Sequence, residues 1–267
     1  MLALPRSVLL ALWLQGADDG PVRRTVVAVQ GDDEPHVVAT ARTLGGPDAP
    51  AGPGSVPDGA TLDELVMAWG SGPRDAAALL PVPGDVSGLP PEVADAAVEA
   101  GECVLVHVGG RSWAAVPEVV QFGSVHEIGH LVTWWLYGVP DWRPRLPGVV
   151  GTLSEAELAL REALRDATAA LDGLDVARWR PDAAGALAGL RARSDPGWAL
   201  PPHLSTRAVR VLVDAMRLRT VVDLATDDDG GAVNLWQADQ RSAALRQVDH
   251  AARRAVAAAT GQASTER

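Results

Sequence analysis

An α+β fold is predicted for this chain: a mixed N-terminal half with a small antiparallel sheet, packed on a C-terminal helical bundle. Three observations lead there. Residues 1–150 are broken by frequent Gly and Pro and close in a run of strand-like segments. Residues 151–267 carry helical periodicity with cap signals instead. Charge divides at the same place, with 8 Arg against 18 acids before residue 150 and 15 Arg against 16 acids after it. The organisation expected is therefore an N-terminal half, 1–150, and a helical half, 151–267, either separate or joined in one continuous domain. With 267 residues, 47% of them hydrophobic, the chain is long enough to bury a sizeable core.

The elements follow in order. A helix is expected from Pro5 to Gln15 and a second element over Val22 to Val29. Gly45 to Gly59 holds Pro47, Pro50, Pro53 and Pro57, and reads as an exposed loop. Thr61 and Glu64 have capping-box spacing, which starts a helix running to Trp69. Ala76 to Leu80 is strand-like. Pro91 opens and Gly101 closes a helix over Glu92 to Ala100. Cys103 to Val108, a Gly109-Gly110 turn, Trp113 to Phe122 and Leu131 to Tyr137 then read as successive strands.

In the second half, Leu153-Ser154-Glu155-Ala156-Glu157-Leu158 predicts a helix start capped by Ser154 and Glu157, with Leu160, Leu164, Ala167 and Leu171 on one face. Pro181 opens a short helix with Leu187 and Leu190 inward. A long helix follows Ser205, its apolar stripe formed by Val209, Leu212, Val213 and Met216, and stops at Asp227-Asp228-Asp229-Gly230-Gly231. Asn234 caps a last helix that buries Ala238, Leu245, Val248, Ala252 and Val256.

Composition removes several classes of function. The net charge of -11 argues against nucleic acid and anionic membrane surfaces as partners. Lys is absent, which excludes a Schiff-base or P-loop lysine. No G-x-G-x-x-G, P-loop or G-x-S-x-G occurs. Cys103 is the single cysteine, so no intrachain disulfide and no cysteine-based zinc cluster can form. Its apolar neighbours predict a buried, inert thiol. Val8 to Leu14 with Arg6 before it is short for a signal sequence, and Gln15 stands where a small residue is wanted. No other apolar run approaches a membrane span. A cytoplasmic protein is expected.

One segment carries a chemical motif. His126-Glu127-Ile128-Gly129-His130 matches H-E-x-x-H and resembles the zinc metallopeptidases called zincins. On a helix, His126 and His130 would share one face and one Zn²⁺, and Glu127 would accept a proton from metal-bound water. Ser124 and Glu127 have capping-box spacing, which favours a helix here. Phe122-Gly123 in place of upstream helical turns, and Leu-Val-Thr-Trp-Trp-Leu-Tyr after His130, favour a strand. Thr133 and Leu136 stand where a metzincin extension wants Gly and His. Glu155, Glu157 and Glu162 are candidates for a gluzincin-like third ligand, and the alternative reading assigns Glu155. His107, His203 and His250 have no spacing argument.

Several further segments resemble an uncharacterised family of actinobacterial proteins. They are Leu80-Pro81-Val82-Pro83-Gly84-Asp85, Gly129-His130-Leu131-Val132-Thr133-Trp134, Arg178-Trp179-Arg180-Pro181 and the Asp228-Asp229-Gly230-Gly231 turn. That resemblance implies that Phe122 to Trp134 is a turn leading into a strand, and it implies no activity. Asp227-Asp228-Asp229 reads as a solvated turn, and Asp85 as an exposed acid in a turn. Arg217/Arg219 and Arg253/Arg254 read as helix surface interleaved with acids.

With 9 Trp against 1 Phe and 1 Tyr, Trp must supply the aromatic core volume. Alternation sends one of Trp134 and Trp135 inward and the other outward. The function expected is that of a non-enzymatic cytoplasmic module, regulatory or protein-binding, with another protein as its partner and no cofactor. The alternative is a zinc metallopeptidase with His126, His130 and Glu155 as ligands and Glu127 as general base.

Overall fold

The computed structural model describes residues 2–15, 22–40, 52–124, 127–173, 197–226 and 235–261, with side chains described outside 167–173 and 235–238. It divides into two units. A sheet unit comprises Leu4–Gly151, Ala199–Leu204 and Thr260–Arg267, and a helical unit comprises Met1–Ala3, Thr152–Trp198 and Ser205–Ala259.

The sheet unit begins with helices α1 (Arg6–Leu14) and α2 (Val22–Gln30), then strands β1 (Val37–Thr40) and β2 (Ala60–Thr61) and helix α3 (Leu62–Gly70). Strand β3 (Arg74–Leu79) follows, then a 3₁₀ turn over Pro91–Val93 that runs into α4 (Ala94–Ala100). Strands β4 (Cys103–Val108), β5 (Arg111–Ser124) and β6 (Glu127–Val139) come next, and α5 (Leu146–Val150) ends the unit's main run. The six strands lie in the order β2-β1-β6-β5-β4-β3. All neighbours are antiparallel except β1, which runs parallel to β6 with Val37 opposite Thr133. The fold is α+β, with a mixed sheet where an antiparallel one was expected. β1 is only four residues long and is exposed or half-buried at three of them, so it gives little periodic signal.

Local chemistry accounts for the elements. The Thr61 hydroxyl accepts from the Glu64 amide while the Glu64 carboxylate accepts from the Thr61 amide, the reciprocal box that starts α3. Gly101, at φ 72°, closes α4 by donating to the Ala97 carbonyl. β4, a nearly uninterrupted apolar run, is buried at every residue but His107. The Cys103 thiol is fully buried there, and desolvation pushes its pKa far up.

Trp69, Trp113 and Trp134 are among the largest fully buried side chains, which is the core role expected of Trp in a chain with one Phe and one Tyr. Two of them reshape the predicted loop. The Trp69 indole donates to the Gly54 carbonyl at 2.9 Å and the Trp113 indole to the Pro53 carbonyl at 3.1 Å. Gly54 is buried as a result. Residues 52–59 are non-regular, as expected, but Gly54 is not exposed; the remainder of the predicted loop before residue 52 lies outside the described residues.

The helical unit contains α6 (Leu153–Gly173), α7 (Thr206–Thr226) and α8 (Leu235–Gly261, of which residues to Ala259 belong to this unit). The cap of α6 sits two residues before the predicted one. Thr152 and Glu155 form the reciprocal box, at 2.8 and 3.2 Å, in place of Ser154 and Glu157. Glu157 is buried instead and meets Arg161, Arg207 and Arg210. The inward face of α6 is Leu153, Ala156, Leu160 and Ala163, while Leu164 points out at 44% exposure. In α7, Leu212 and Met216 are buried as predicted, joined by Val211 and Ala215, while Val209 and Val213 are half-buried. In α8, Val248, Ala252 and Val256 are buried and Leu245 is half-buried. Asp249 receives Arg219 and Arg253, so Arg253 is a buried ion-pair partner where helix surface was expected. The Pro181 helix, the Asp227–Gly231 turn and the Asn234 cap lie outside the described residues. No helix among the described residues is long and apolar enough to cross a membrane.

Candidate functional site

Three features of the sheet unit carry polar or apolar groups in arrangements that demand an account. The first is a hydrogen-bonded hub on Asp33, just past the end of α2. Arg6 of α1 donates to Asp33 Oδ2 at 2.6 Å, His36 Nε2 lies 3.2 Å from the same oxygen, and His130 Nδ1 of β6 lies 3.1 Å from Oδ1. The Trp134 indole donates to His36 Nδ1 at 3.1 Å.

An indole N–H is a donor only, so His36 Nδ1 must accept and its proton is assigned to Nε2, where it meets the carboxylate. Protonating His36 would set two N–H groups against each other at Trp134. Burial lowers the His36 pKa, the Asp33 hydrogen bond and charge oppose that shift, and Arg6 adds to it. The hub is a closed clamp joining α1, the turn after α2 and β6. Its polar groups satisfy one another, which is what permits a fully buried imidazole at His36.

The second feature is the H-E-x-x-H segment. From Glu127 onward it is strand β6, paired antiparallel with β5 from Ser124↔Glu127 through Gln121↔His130 to Ser112↔Val139. The shared helical face that the zincin reading needs is not formed by Glu127–His130. In a strand, residues four apart lie about 13 Å apart.

Gly123 shows why the chain reverses here. Its φ is +97°, and a Cβ at that position would collide with the Glu127 carbonyl. Gly129 lies opposite Phe122, whose ring covers the space that a Cβ would occupy. His130 is held by Asp33 through Nδ1, and Glu127 is exposed. The Glu155 carboxylate accepts from Thr152 in the α6 cap, which holds its pKa down. His126 lies outside the described residues. Among the described residues no three His, Cys, Asp or Glu side chains are grouped to hold a metal ion.

The β5–β6 hairpin has a further property. Every residue from Glu118 to Ser124 is exposed, on both faces of the ribbon. Val119, Val120, Phe122, Ile128 and Leu131 are 39%, 51%, 42%, 52% and 50% exposed. Cross-strand pairing sets Val120 opposite Leu131 and Phe122 opposite Gly129 on one face, and Gly123 opposite Ile128 on the other. Trp134 is fully buried at the base, and Trp135 turns outward to donate to Glu118 at 2.7 Å. Alternation foresaw the split between the two Trp residues. The arm itself was missed, although the Phe122-Gly123 and Ile128-Gly129 pairs were its signal.

The third feature is an open cleft of about 520 Å³ lined by His107, Arg111, Ser112, Asp141 and Arg143, among others. His107 Nδ1 lies 2.8 Å from Ser112 Oγ and 3.9 Å from Asp141 Oδ1. Ser, His and Asp thus meet, but serine and carboxylate address the same nitrogen. A nucleophile relay needs them on opposite ring nitrogens, so this is not a hydrolase triad. Asp141 is engaged by Arg143, whose hydrogen bond chiefly holds its pKa down at about 2. Arg143 also reaches Asp75 of β3 at 3.2 Å. Burial lowers the His107 pKa first and Arg143 second, against Asp141 and Asp75. These residues are 75, 107, 112, 141 and 143 in sequence, and no local spacing announces them.

Comparison with known proteins places the chain. The N-terminal domain of the Rv1486c-like protein family matches residues 7–149, and its C-terminal domain matches residues 154–257. The chain belongs to the Rv1486c-like protein family. Uncharacterized protein Rv1486c of Mycobacterium tuberculosis (strain ATCC 25618 / H37Rv) is 32% identical over 163 residues, covering 54% of this chain and 54% of that protein. Uncharacterized protein MT1533 of Mycobacterium tuberculosis (strain CDC 1551 / Oshkosh) matches with the same identity and coverage. The chain spans about half the length of these curated relatives. No solved structure gives a significant match. Membership of the Rv1486c-like family agrees with the resemblance seen in the sequence and brings no activity with it.

Proposed function

We propose that this Rv1486c-like chain is a non-enzymatic, cytoplasmic protein-interaction module with a regulatory role, and that the β5–β6 arm is its contact element. One observation carries the reading: five large apolar side chains stand exposed on a ribbon that projects beyond the rest of the sheet's pairing. β4 stops pairing with β5 at Ala115, and β1 pairs with β6 only from Thr133. Scattered surface apolar residues need no explanation, but Val120, Phe122 and Leu131 adjoin one another on one face of the arm, and such a cluster marks a contact surface. The two polar clusters support the same reading, because the groups of each are engaged with one another. The charge of -11 disfavours nucleic acid as the partner.

Site-specific photocrosslinking in the producing cell tests this. A photoreactive side chain in place of Phe122 is expected to yield a discrete adduct. The same group in place of Val27, 61% exposed on α2, is expected to yield none. Equal labelling from both positions, or none from Phe122, would remove the arm as contact element.

A further inference from the structure

Resting on that reading, the occupant of the arm can be specified. We propose that the face of the β5–β6 arm that continues onto β1 receives a basic amphipathic helix of a partner protein, its apolar side inward and a cation on Glu118.

Register decides which side chains share that face. Residues opposite one another in a sheet, and residues two apart along a strand, point the same way. Phe122/Gly129, Val120/Leu131, Glu118/Thr133, Val116/Trp135 and Ala114/Tyr137 are therefore successive rungs of one face, and β1 adds Val37 beside Thr133. The opposite face holds Trp113, Val132, Trp134 and Leu136, all buried. At the base of β5 the first face is covered: Ala114 and Val116 are buried, and α4 packs on β5. Burial chiefly raises the Tyr137 pKa, and Cys103, Glu118 and Glu99 add to the shift electrostatically. Glu99 of α4 and Glu118 of β5 thus lie within electrostatic reach of one side chain of this face.

Farther out the face is open. Val37, Val120, Phe122 and Leu131 are 44%, 51%, 42% and 50% exposed, and Trp135 is half-buried. Sheet faces are commonly covered by helices, as α4 does at the base. From the Phe122 rung to the Trp135 rung is about 20 Å of strand, the length of a helix of ~13 residues. The remaining exposed apolar residues form no second surface of this kind. Val119 and Ile128 lie on the opposite face, with the polar rung Gln121/His130 between them.

Charge selects the occupant. Glu118 stands amid the apolar side chains and accepts the Trp135 indole at Oε2, and among the described residues Oε1 has no partner. Asp95 and Glu99, four residues apart and both exposed, form an acidic ridge on α4. β1, β6 and residues 112–124 of β5 contain no Arg, and the chain contains no Lys. An apolar strip with an acid at its centre and acids at its border fits a helix whose apolar stripe is flanked by Lys or Arg. A second copy presenting the same face would set Glu118 and the α4 acids against like charges, and an anionic membrane meets the same repulsion.

The test is fluorescence anisotropy of the full chain with a labelled 14-residue Leu/Lys peptide of helical period as probe. Binding with a Kd of about 1–100 μM is expected, the range of a small, transient interface. The same peptide with Glu for Lys is expected to bind at least about tenfold more weakly. Val120→Ser with Leu131→Ser should weaken the Leu/Lys probe at least about tenfold. Glu118→Gln should weaken it about three- to tenfold and reduce its salt dependence. Ile128→Ser, on the opposite face, should leave it unchanged. If the double variant loses the parent circular dichroism, the contrast between Glu118→Gln and Ile128→Ser decides.

No binding of the Leu/Lys probe, equal binding of the Glu peptide, or equal affinity of Glu118→Gln and Ile128→Ser overturns the proposal. A Phe122 crosslink in the cell to an acidic segment or to a second copy also overturns it, while preserving the interaction-module reading. No Phe122 adduct at all removes both.

Discussion

The β5–β6 hairpin is one continuous register with two environments. At its base, Trp113, Ala114, Ala115, Val116, Trp134 and Leu136 are buried. In the arm, Glu118 to Ser124 are all exposed, yet the pairing continues unchanged to Ser124↔Glu127. Backbone pairing therefore does not decide burial; what lies against each face and edge does. The base has β4 on one edge, β1 on the other and α1 packed on β5, whereas β4 and β1 do not reach the arm. The base is where the hairpin is buried and stabilised, and the arm is where its apolar side chains are left exposed.

That contrast can be broken or sharpened by substitution. Trp134→Ala at the base removes a fully buried indole and its hydrogen bond to His36, and is expected to cost about 3–5 kcal/mol in urea unfolding. A loss below about 1 kcal/mol would mean that the base is not the stabilising region. Asp33→Asn weakens the clamp on Arg6, His36 and His130 and is expected to cost about 2–3 kcal/mol by the same measurement.

Gly123→Ala puts a Cβ against the Glu127 carbonyl at positive φ, and is expected to cost about 1–3 kcal/mol. Its effect should be confined to the arm, with faster amide exchange for 118–124 and 127–131 and little change in β4. Phe122→Ala, which removes an exposed side chain of the arm, should cost only about 0.5–1 kcal/mol.

A smaller, pH-dependent effect belongs to His36. Its folded pKa is lowered, so the unfolded chain binds the additional proton as pH falls through 6.5. Its contribution is present above 6.5 and is lost as pH falls from there toward the folded value. An NMR titration should place the His36 midpoint below 6.5; a midpoint above it would contradict the proton assignment at Trp134. Metal analysis of the purified chain should find no stoichiometric zinc, and zinc that disappears on His130→Ala would revive the alternative reading.

Much of the fold was legible because its signals are local. The Thr61/Glu64 box, Pro91 with Gly101, and the Cys103–Val108 run each lie within about ten residues and give the elements found. The α6 start was misread because two overlapping boxes, Thr152/Glu155 and Ser154/Glu157, both satisfy the spacing, and the ion pairs of Glu157 to Arg207 and Arg210 are not visible locally. The Asp33 hub was not legible at all, since Arg6 and His130 lie 27 and 97 residues from Asp33. H-E-x-x-H was ambiguous because its spacing states a helix while its flanks state a strand. Gly123 and Gly129 settle that conflict only once their cross-strand partners are known.

Amide hydrogen exchange along β5 puts the base and the arm in one experiment. The account predicts slow exchange for Ser112–Val116, where β4 and the core cover the strand, and much faster exchange for Glu118–Gly123 in the exposed arm. Equal protection of the two stretches would contradict it.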